Sequence, residues 1–105
     1  QQVSGFRFLH LLTPCPTGWG YEPRYTVELS RLAVESCLFP LYEIREGQRY
    51  SVNYRPASQI GLEMVLKLQK RFAGISDARV NDLQVAVDRE WERLCRLESF
   101  AFTAD

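Results

Sequence analysis

The 105 residues predict an α/β fragment, α+β by content, in which one buried strand is followed by a helix, a β-hairpin and two C-terminal helices. Three observations carry this reading. Residues 5–12 (Gly-Phe-Arg-Phe-Leu-His-Leu-Leu) are apolar on both faces of an extended chain, with Phe6, Phe8, His10 and Leu12 on one side and Leu9 and Leu11 on the other. Such strands belong inside parallel sheets covered by helices on each side. No other run in the chain resembles a companion strand, so the sheet lies elsewhere and the chain is a piece of something larger, or sits against a partner.

The later elements follow in order. Pro23 suits the first turn of a helix over residues 24–37, whose Tyr25, Leu29, Leu32, Ala33 and Ser36 share one face. Pro40 prevents that helix from continuing. Residues 41–44 and 49–54 read as short strands around a Glu46-Gly47 turn, and Arg55-Pro56 closes the hairpin. Leu62, Val65, Leu66, Gln69 and Phe72 mark a second helix ending at Gly74 as its C-terminal cap. Ser76 and Asp77 offer N-cap chemistry to a third helix, with Val80, Leu83, Val87, Trp91 and Leu94 as its apolar stripe. Phe100-Ala101-Phe102 is apolar for a tail and is expected to dock on a partner or fold back.

Composition narrows the function. A hydrophobic fraction of 46% with 25% charged residues suits a folding chain rather than a disordered one. Thirteen basic residues balance thirteen acidic ones, and no Lys/Arg block stands out, which disfavours nucleic acid and anionic membrane as partners. The longest apolar stretch, residues 8–12, is far below the ~20 residues of a spanning helix, and residues 1–10 lack a signal-peptide layout. A soluble, cytoplasmic protein is expected. There is no G-x-S-x-G, no G-x-x-x-x-G-K-[ST] and no H-E-x-x-H, so this stretch is not a self-contained enzyme.

Cys15, Cys37 and Cys95 are odd in number and widely spaced, a pattern of reduced thiols rather than of a disulfide framework. With the single His10 they formally make a Cys₃His set, but no C-x₂₋₄-C pair exists. Cys37 and Cys95 sit on helical patterns and read as small apolar residues, Trp91 as core, and His10 as a structural or hydrogen-bonded side chain. Arg45, Glu46, Arg49 and Arg55 read as a solvated rim around the hairpin. Cys15 differs. It lies in Thr13-Pro14-Cys15-Pro16-Thr17-Gly18-Trp19-Gly20, where two prolines stiffen the chain and two glycines permit tight turns. The loop is either a structural turn or the mount of a metal-ligating thiolate, which has to be pre-positioned.

Three segments in order and spacing carry a resemblance over residues 5–94. They are Phe8-Leu9-His10-Leu11-Leu12-Thr13-Pro14-Cys15-Pro16-Thr17-Gly18-Trp19, Phe39-Pro40-Leu41-Tyr42-Glu43, and Leu66-Lys67-Leu68-Gln69-Lys70-Arg71-Phe72. The chain resembles the C-terminal part of the thiamine-diphosphate-binding beta subunit of 2-oxoacid:ferredoxin oxidoreductases, nearest the pyruvate synthase and 2-oxoisovalerate branches. The resemblance implies oxidative decarboxylation of a 2-oxoacid to an acyl-CoA on thiamine diphosphate, with electrons passing through [4Fe–4S] clusters to ferredoxin. It implies that Cys15 ligates the cluster nearest the thiamine, with Thr17, Gly18 and Trp19 around the sulfur and three further thiolates from outside this chain. It also implies that residues 1–22 close the thiamine-diphosphate-binding domain and that residues 23–105 form an appendage contacting the rest of the beta subunit and the other subunits.

The pattern departs from the family in three places. The G-D-G run that holds thiamine diphosphate and Mg²⁺ is absent, so the chain alone is expected to bind neither and to be inactive. Cys37 stands where a small or glycine-like residue is expected after the first helix, and residues 100–105 have no counterpart. A non-catalytic assembly or binding module, or an inactive isolated fragment of the subunit, is the alternative.

Overall fold

Proline and glycine punctuate the chain into short elements that end in one long helix. The computed structural model describes residues 4–103, with side chains through residue 100. A one-turn helix α1 (Pro16–Trp19) is followed by a 3₁₀ turn (Pro23–Tyr25) that runs into α2 (Thr26–Glu35). Strands β1 (Tyr42–Arg45) and β2 (Arg49–Val52) come next, then α3 (Glu63–Leu66), a second 3₁₀ turn (Lys70–Phe72) and α4 (Asp77–Thr103). This is the mixed α+β content expected from the sequence.

The amphipathic reading of α2 holds: Leu29, Leu32, Ala33 and Ser36 are buried along one face. Leu29 and Leu32 meet Tyr21, Leu62, Val65 and Leu66 in a core cluster, with Trp19, Tyr25, Phe72, Val80 and Val87 packed against it. Each fully buried leucine or valine there contributes about 1.5–3 kcal/mol. α2 stops where Cys37 adopts φ 65°, a left-handed conformation usually given to glycine. The turn lets the Phe39 N–H reach back to the Ala33 carbonyl at 3.0 Å.

The hairpin is antiparallel, with Tyr42 opposite Val52 and Ile44 opposite Tyr50. Its turn is the expected one, with Glu46 at φ 56° and Gly47 at φ 70°. Tyr42 and Tyr50 stack diagonally across the strands at 6.4 Å between ring centroids. β2 lies on α4, where Glu98 accepts the Val52 N–H at 2.6 Å and pairs with Arg55. Further along α4, Gln84 accepts the Leu62 N–H at 2.7 Å, and Asp88 accepts from the Gln59 and Gln84 amides at 2.8 and 2.9 Å.

Four segments differ in detail from the elements expected. Residues 6–15 have no regular secondary structure, and residues 5–12 pair with no strand among the described residues. With the expected sheet lying elsewhere, the segment is exposed here, with Phe6, Phe8, Leu9 and Leu11 between 67% and 88% accessible. A strand exists only through pairing with another strand, and none of the described residues offers one to that segment.

The second helix is broken. Leu62, Val65, Leu66 and Gln69 are buried as the stripe required, yet the helix ends at Leu66 and Gln69 is extended at φ −112°, ψ 121°. Gly74 is not left-handed and does not cap it.

The third stripe is only partly covered: Leu94 is buried, Val80, Val87 and Trp91 are half-buried, and Leu83 is exposed. Its N-cap is as read, with the Arg79 N–H donating to Ser76 Oγ at 3.2 Å. The backbone of the terminal apolar run does not turn back within the described residues. It continues α4, a helix about 40 Å long, to Thr103, and the side chains of Ala101 and Phe102 lie outside the described residues.

Candidate functional site

Cys15 is the N-cap of α1. Its backbone is extended, at φ −119° and ψ 108°, and its Sγ accepts the Gly18 N–H at 3.3 Å. Pro14 and Pro16 have no N–H to offer, so within Pro14-Cys15-Pro16 only Cys15 itself carries a backbone donor. The helix closes within one turn, through Trp19 N–H to the Cys15 carbonyl and Gly20 N–H to the Pro16 carbonyl, both 2.9 Å. Gly20 at φ 75° ends it.

Cys15 is an exposed residue, and even a Cβ on Gly18 would only reach ordinary contact with Sγ, at 3.4 Å. The loop thus presents one outward-facing thiol that already accepts an N–H bond.

Of the other residues expected around the sulfur, Gly18 supplies the hydrogen bond and Thr17 is exposed on α1. Trp19 turns toward the body of the chain. Its ring lies edge-on to Tyr21 at 6.3 Å and under the Arg71 guanidinium at 4.4 Å.

The segment that meets α1 is one to which sequence reasoning assigned no role. Gln69, 3% accessible, donates from Nε2 to the Val65 carbonyl at 3.1 Å and accepts the Arg71 Nε–H at 2.7 Å. Lys70 donates its backbone N–H to the Gly20 carbonyl at 2.7 Å, and a Cβ on Gly20 would fall 2.8 Å from Lys70 Cβ. The motif Leu66 to Phe72 was visible in the sequence, but a continuous helix would have left Lys70 and Arg71 as surface charges. Only the break after Leu66 brings them to the cysteine loop.

The remaining candidates stand apart from this loop. His10 packs edge-on against Phe39 at 5.1 Å, a ring contact with a structural role. Cys37 is buried, and burial first, then Cys95 and the Asp88 and Glu35 carboxylates, push its thiol up to about 11. Cys95 is half-buried and accepts from Arg55 Nη1 at 3.3 Å. No group of three or more His, Cys, Asp or Glu side chains capable of holding a metal occurs among the described residues. A [4Fe–4S] cluster needs four ligands, and what fits one here is a single thiol with an N–H bond and an open approach.

A cavity of about 670 Å³ runs between the end of α2, the hairpin and α4, lined mainly by apolar side chains such as Leu12, Phe39, Tyr50 and Leu94, and it shares Trp19, Gln69 and Arg71 with the contacts of the cysteine loop. No helix among the described residues is long and apolar enough to cross a membrane.

Together these features define a class: a small α+β unit with an exposed apolar segment that joins no sheet among the described residues, and one presented thiol. Comparison with known proteins gives it a lineage. The chain is 40% identical over 92 residues, 88% of its length, to the pyruvate synthase subunit PorB of Methanocaldococcus jannaschii, covering 30% of that protein. It is 40% identical over 99 residues, 92% of its length, to the ketoisovalerate oxidoreductase subunit VorB of Pyrococcus furiosus, covering 32% of it. To PorB of Thermotoga maritima it is 42% identical over 100 residues, 90% of the chain and 31% of that protein. No protein-family model matches the chain. The chain is a homologue of the C-terminal part of these pyruvate synthase and ketoisovalerate oxidoreductase subunits, and it spans about a third of the length of the curated relatives it matches.

Proposed function

We propose that this chain is the C-terminal portion of the beta subunit of a 2-oxoacid:ferredoxin oxidoreductase of the pyruvate type, and that it contributes Cys15 as one ligand of a [4Fe–4S] cluster. The observation that carries the reading is the Cys15 loop: an exposed Sγ at the N-cap of α1, bonded by the Gly18 N–H, on a chain homologous to PorB and VorB. The other three thiolates, and the thiamine diphosphate and Mg²⁺ of the full subunit, are assigned to parts beyond these residues. The full enzyme converts a 2-oxoacid and coenzyme A to an acyl-CoA and passes electrons to ferredoxin. When bound, the cluster supplies one-electron acceptance and transfer.

The residues of this chain have simpler tasks. Pro14 and Pro16 fix the direction from which the sulfur arrives, so that a ligand from a distant stretch of chain comes already oriented. The Gly18 N–H offsets negative charge on the sulfur, which, once the sulfur is ligated, favours the reduced cluster. Residues 1–22 complete the cofactor domain: the exposed apolar segment over residues 6–11 adds its backbone and both faces to a sheet supplied by the rest of the subunit. Residues 23–105 form the subunit-contacting appendage.

The test is Cys15→Ser in the assembled complex. Loss of about four irons per cluster site, together with part of the broad visible absorption, is expected. Unchanged iron content and absorption would instead favour an assembly module, a reading to which the exposed Phe6, Phe8, Leu9 and Leu11 are equally suited. The 105-residue chain by itself is expected to be inactive and to bind no thiamine diphosphate, and tight binding in a titration would contradict this.

A further inference from the structure

We propose that Arg71, held by Gln69 and laid over Trp19, is a positioning residue that sets the orientation of the Cys15 sulfur and, through it, the reduction potential of the cluster that sulfur ligates. The proposal rests on the reading of Cys15 as a ligand. Gln69 is almost fully buried and anchored to the Val65 carbonyl at 3.1 Å, so its Oε1 is a fixed acceptor. Arg71 Nε donates to that oxygen at 2.7 Å, which orients the guanidinium plane. The plane covers the Trp19 ring at 4.4 Å, and Phe72 flanks the same guanidinium at 4.8 Å. Trp19 in turn is bonded through its N–H to the Cys15 carbonyl at 2.9 Å, within the turn whose Gly18 N–H holds Sγ. An unbroken series of contacts therefore runs from the core at Val65 to the thiol.

The chemistry explains why arginine suits the position. A guanidinium is planar, stacks on an indole and still has Nε free to bond in its own plane, whereas a lysine ammonium is a point charge with no plane to align. A one-turn helix has little stability of its own, so α1 depends on what clamps Trp19 and Gly20. The Lys70 N–H to the Gly20 carbonyl supplies the second clamp from the same segment. Loosening the first lets the turn shift and weakens the Gly18 N–H bond to the sulfur. Hydrogen bonds to cluster sulfurs raise the potential, so their weakening makes it more negative.

The experiment compares Arg71→Lys, Arg71→Gln and Cys15→Ser in the assembled oxidoreductase, with three readouts: iron content, the midpoint potential and g-values of the cluster from an EPR-monitored titration, and the rate at which a chelator removes iron. Both Arg71 variants are expected to keep their iron, to shift the potential negative by similar amounts and to lose iron to the chelator several-fold faster. A role only in general folding would lower the yield of assembled enzyme without moving the potential of what assembles. Unchanged potential and g-values in both Arg71 variants would overturn the proposal, as would full rescue by Arg71→Lys, which would make charge alone responsible. If Arg71→Gln fails to assemble, Arg71→Lys decides by the same readouts. Retention of all iron in Cys15→Ser would overturn the ligand reading and this proposal with it, whereas iron lost in Cys15→Ser with no effect at Arg71 would overturn the positioning role alone.

Discussion

The backbone N–H of Lys70 donates to the carbonyl of Gly20 at 2.7 Å, and this one bond both breaks a helix and supports the cysteine loop. In a continuing helix that N–H would have gone to Leu66. Gly20 can receive it because, at φ 75°, it has no Cβ to strike the Lys70 side chain. Gly20→Ala introduces both a left-handed non-glycine residue and a Cβ 2.8 Å from Lys70 Cβ. It is expected to cost about 1–3 kcal/mol, read as a lower denaturant midpoint, and to lower the iron content of the assembled enzyme.

Glu98 ties the hairpin to α4 by accepting the Val52 N–H at 2.6 Å while pairing with Arg55. Glu98→Ala strands the half-buried amide and is expected to cost about 1–3 kcal/mol. Glu98→Gln keeps an acceptor and costs less, because the half-exposed ion pair contributes little. Amide hydrogen exchange at Val52 should speed up in the alanine variant and much less in the glutamine one. Equal exchange in both would show that the charge, not the acceptor, holds the hairpin.

Cys37 links stability to alkaline pH. Its thiol, ordinarily near 9.0, is held up to about 11 by burial, so the folded chain keeps its proton where the unfolded chain has lost it. With more protons bound in the folded state, stability falls as pH rises through the window from about 9 to about 11. Below pH 9 the group has no effect. Cys37→Ala should flatten this segment of the stability-against-pH curve relative to the parent, measured by urea unfolding at fixed temperature. A parallel decline in both proteins would assign the alkaline loss to other groups.

Phe6, Phe8, Leu9 and Leu11 present an exposed apolar segment that joins no sheet among the described residues. Such a segment pairs with whatever edge it meets, so the 105-residue chain alone is expected to self-associate with rising concentration. Phe8→Glu combined with Leu9→Lys should shift sedimentation toward monomer without changing the unfolding midpoint. In the full oxidoreductase the same pair should impair assembly.

Much of this molecule is legible from residue order. The face of α2, the hairpin turn at Glu46-Gly47 and the Ser76 cap follow from local rules of spacing, left-handed glycine and side-chain capping, and each is found where those rules put it. The prominence of Cys15 was equally local, since two prolines and two glycines around a cysteine need no tertiary information to be noticed. The family resemblance, not residue order, leads to a small or glycine-like residue at position 37, and the φ of 65° at Cys37 gives the physical reason.

Non-local bonds decided the rest. A strand requires a partner backbone, so residues 5–12 keep the composition of a buried strand but not the structure of one. A helix persists only while its N–H groups have no better acceptor, so the run from Leu62 to Phe72 kept its buried stripe and lost its continuity when Lys70 bonded Gly20 instead. That exchange is invisible to periodicity because it joins positions fifty residues apart. By itself the sequence determined which residues are apolar, which turns are tight and which thiol is presented. The tertiary structure alone placed Gln69 and Arg71 against Trp19, because contact between distant segments depends on where each chain reversal points the next element.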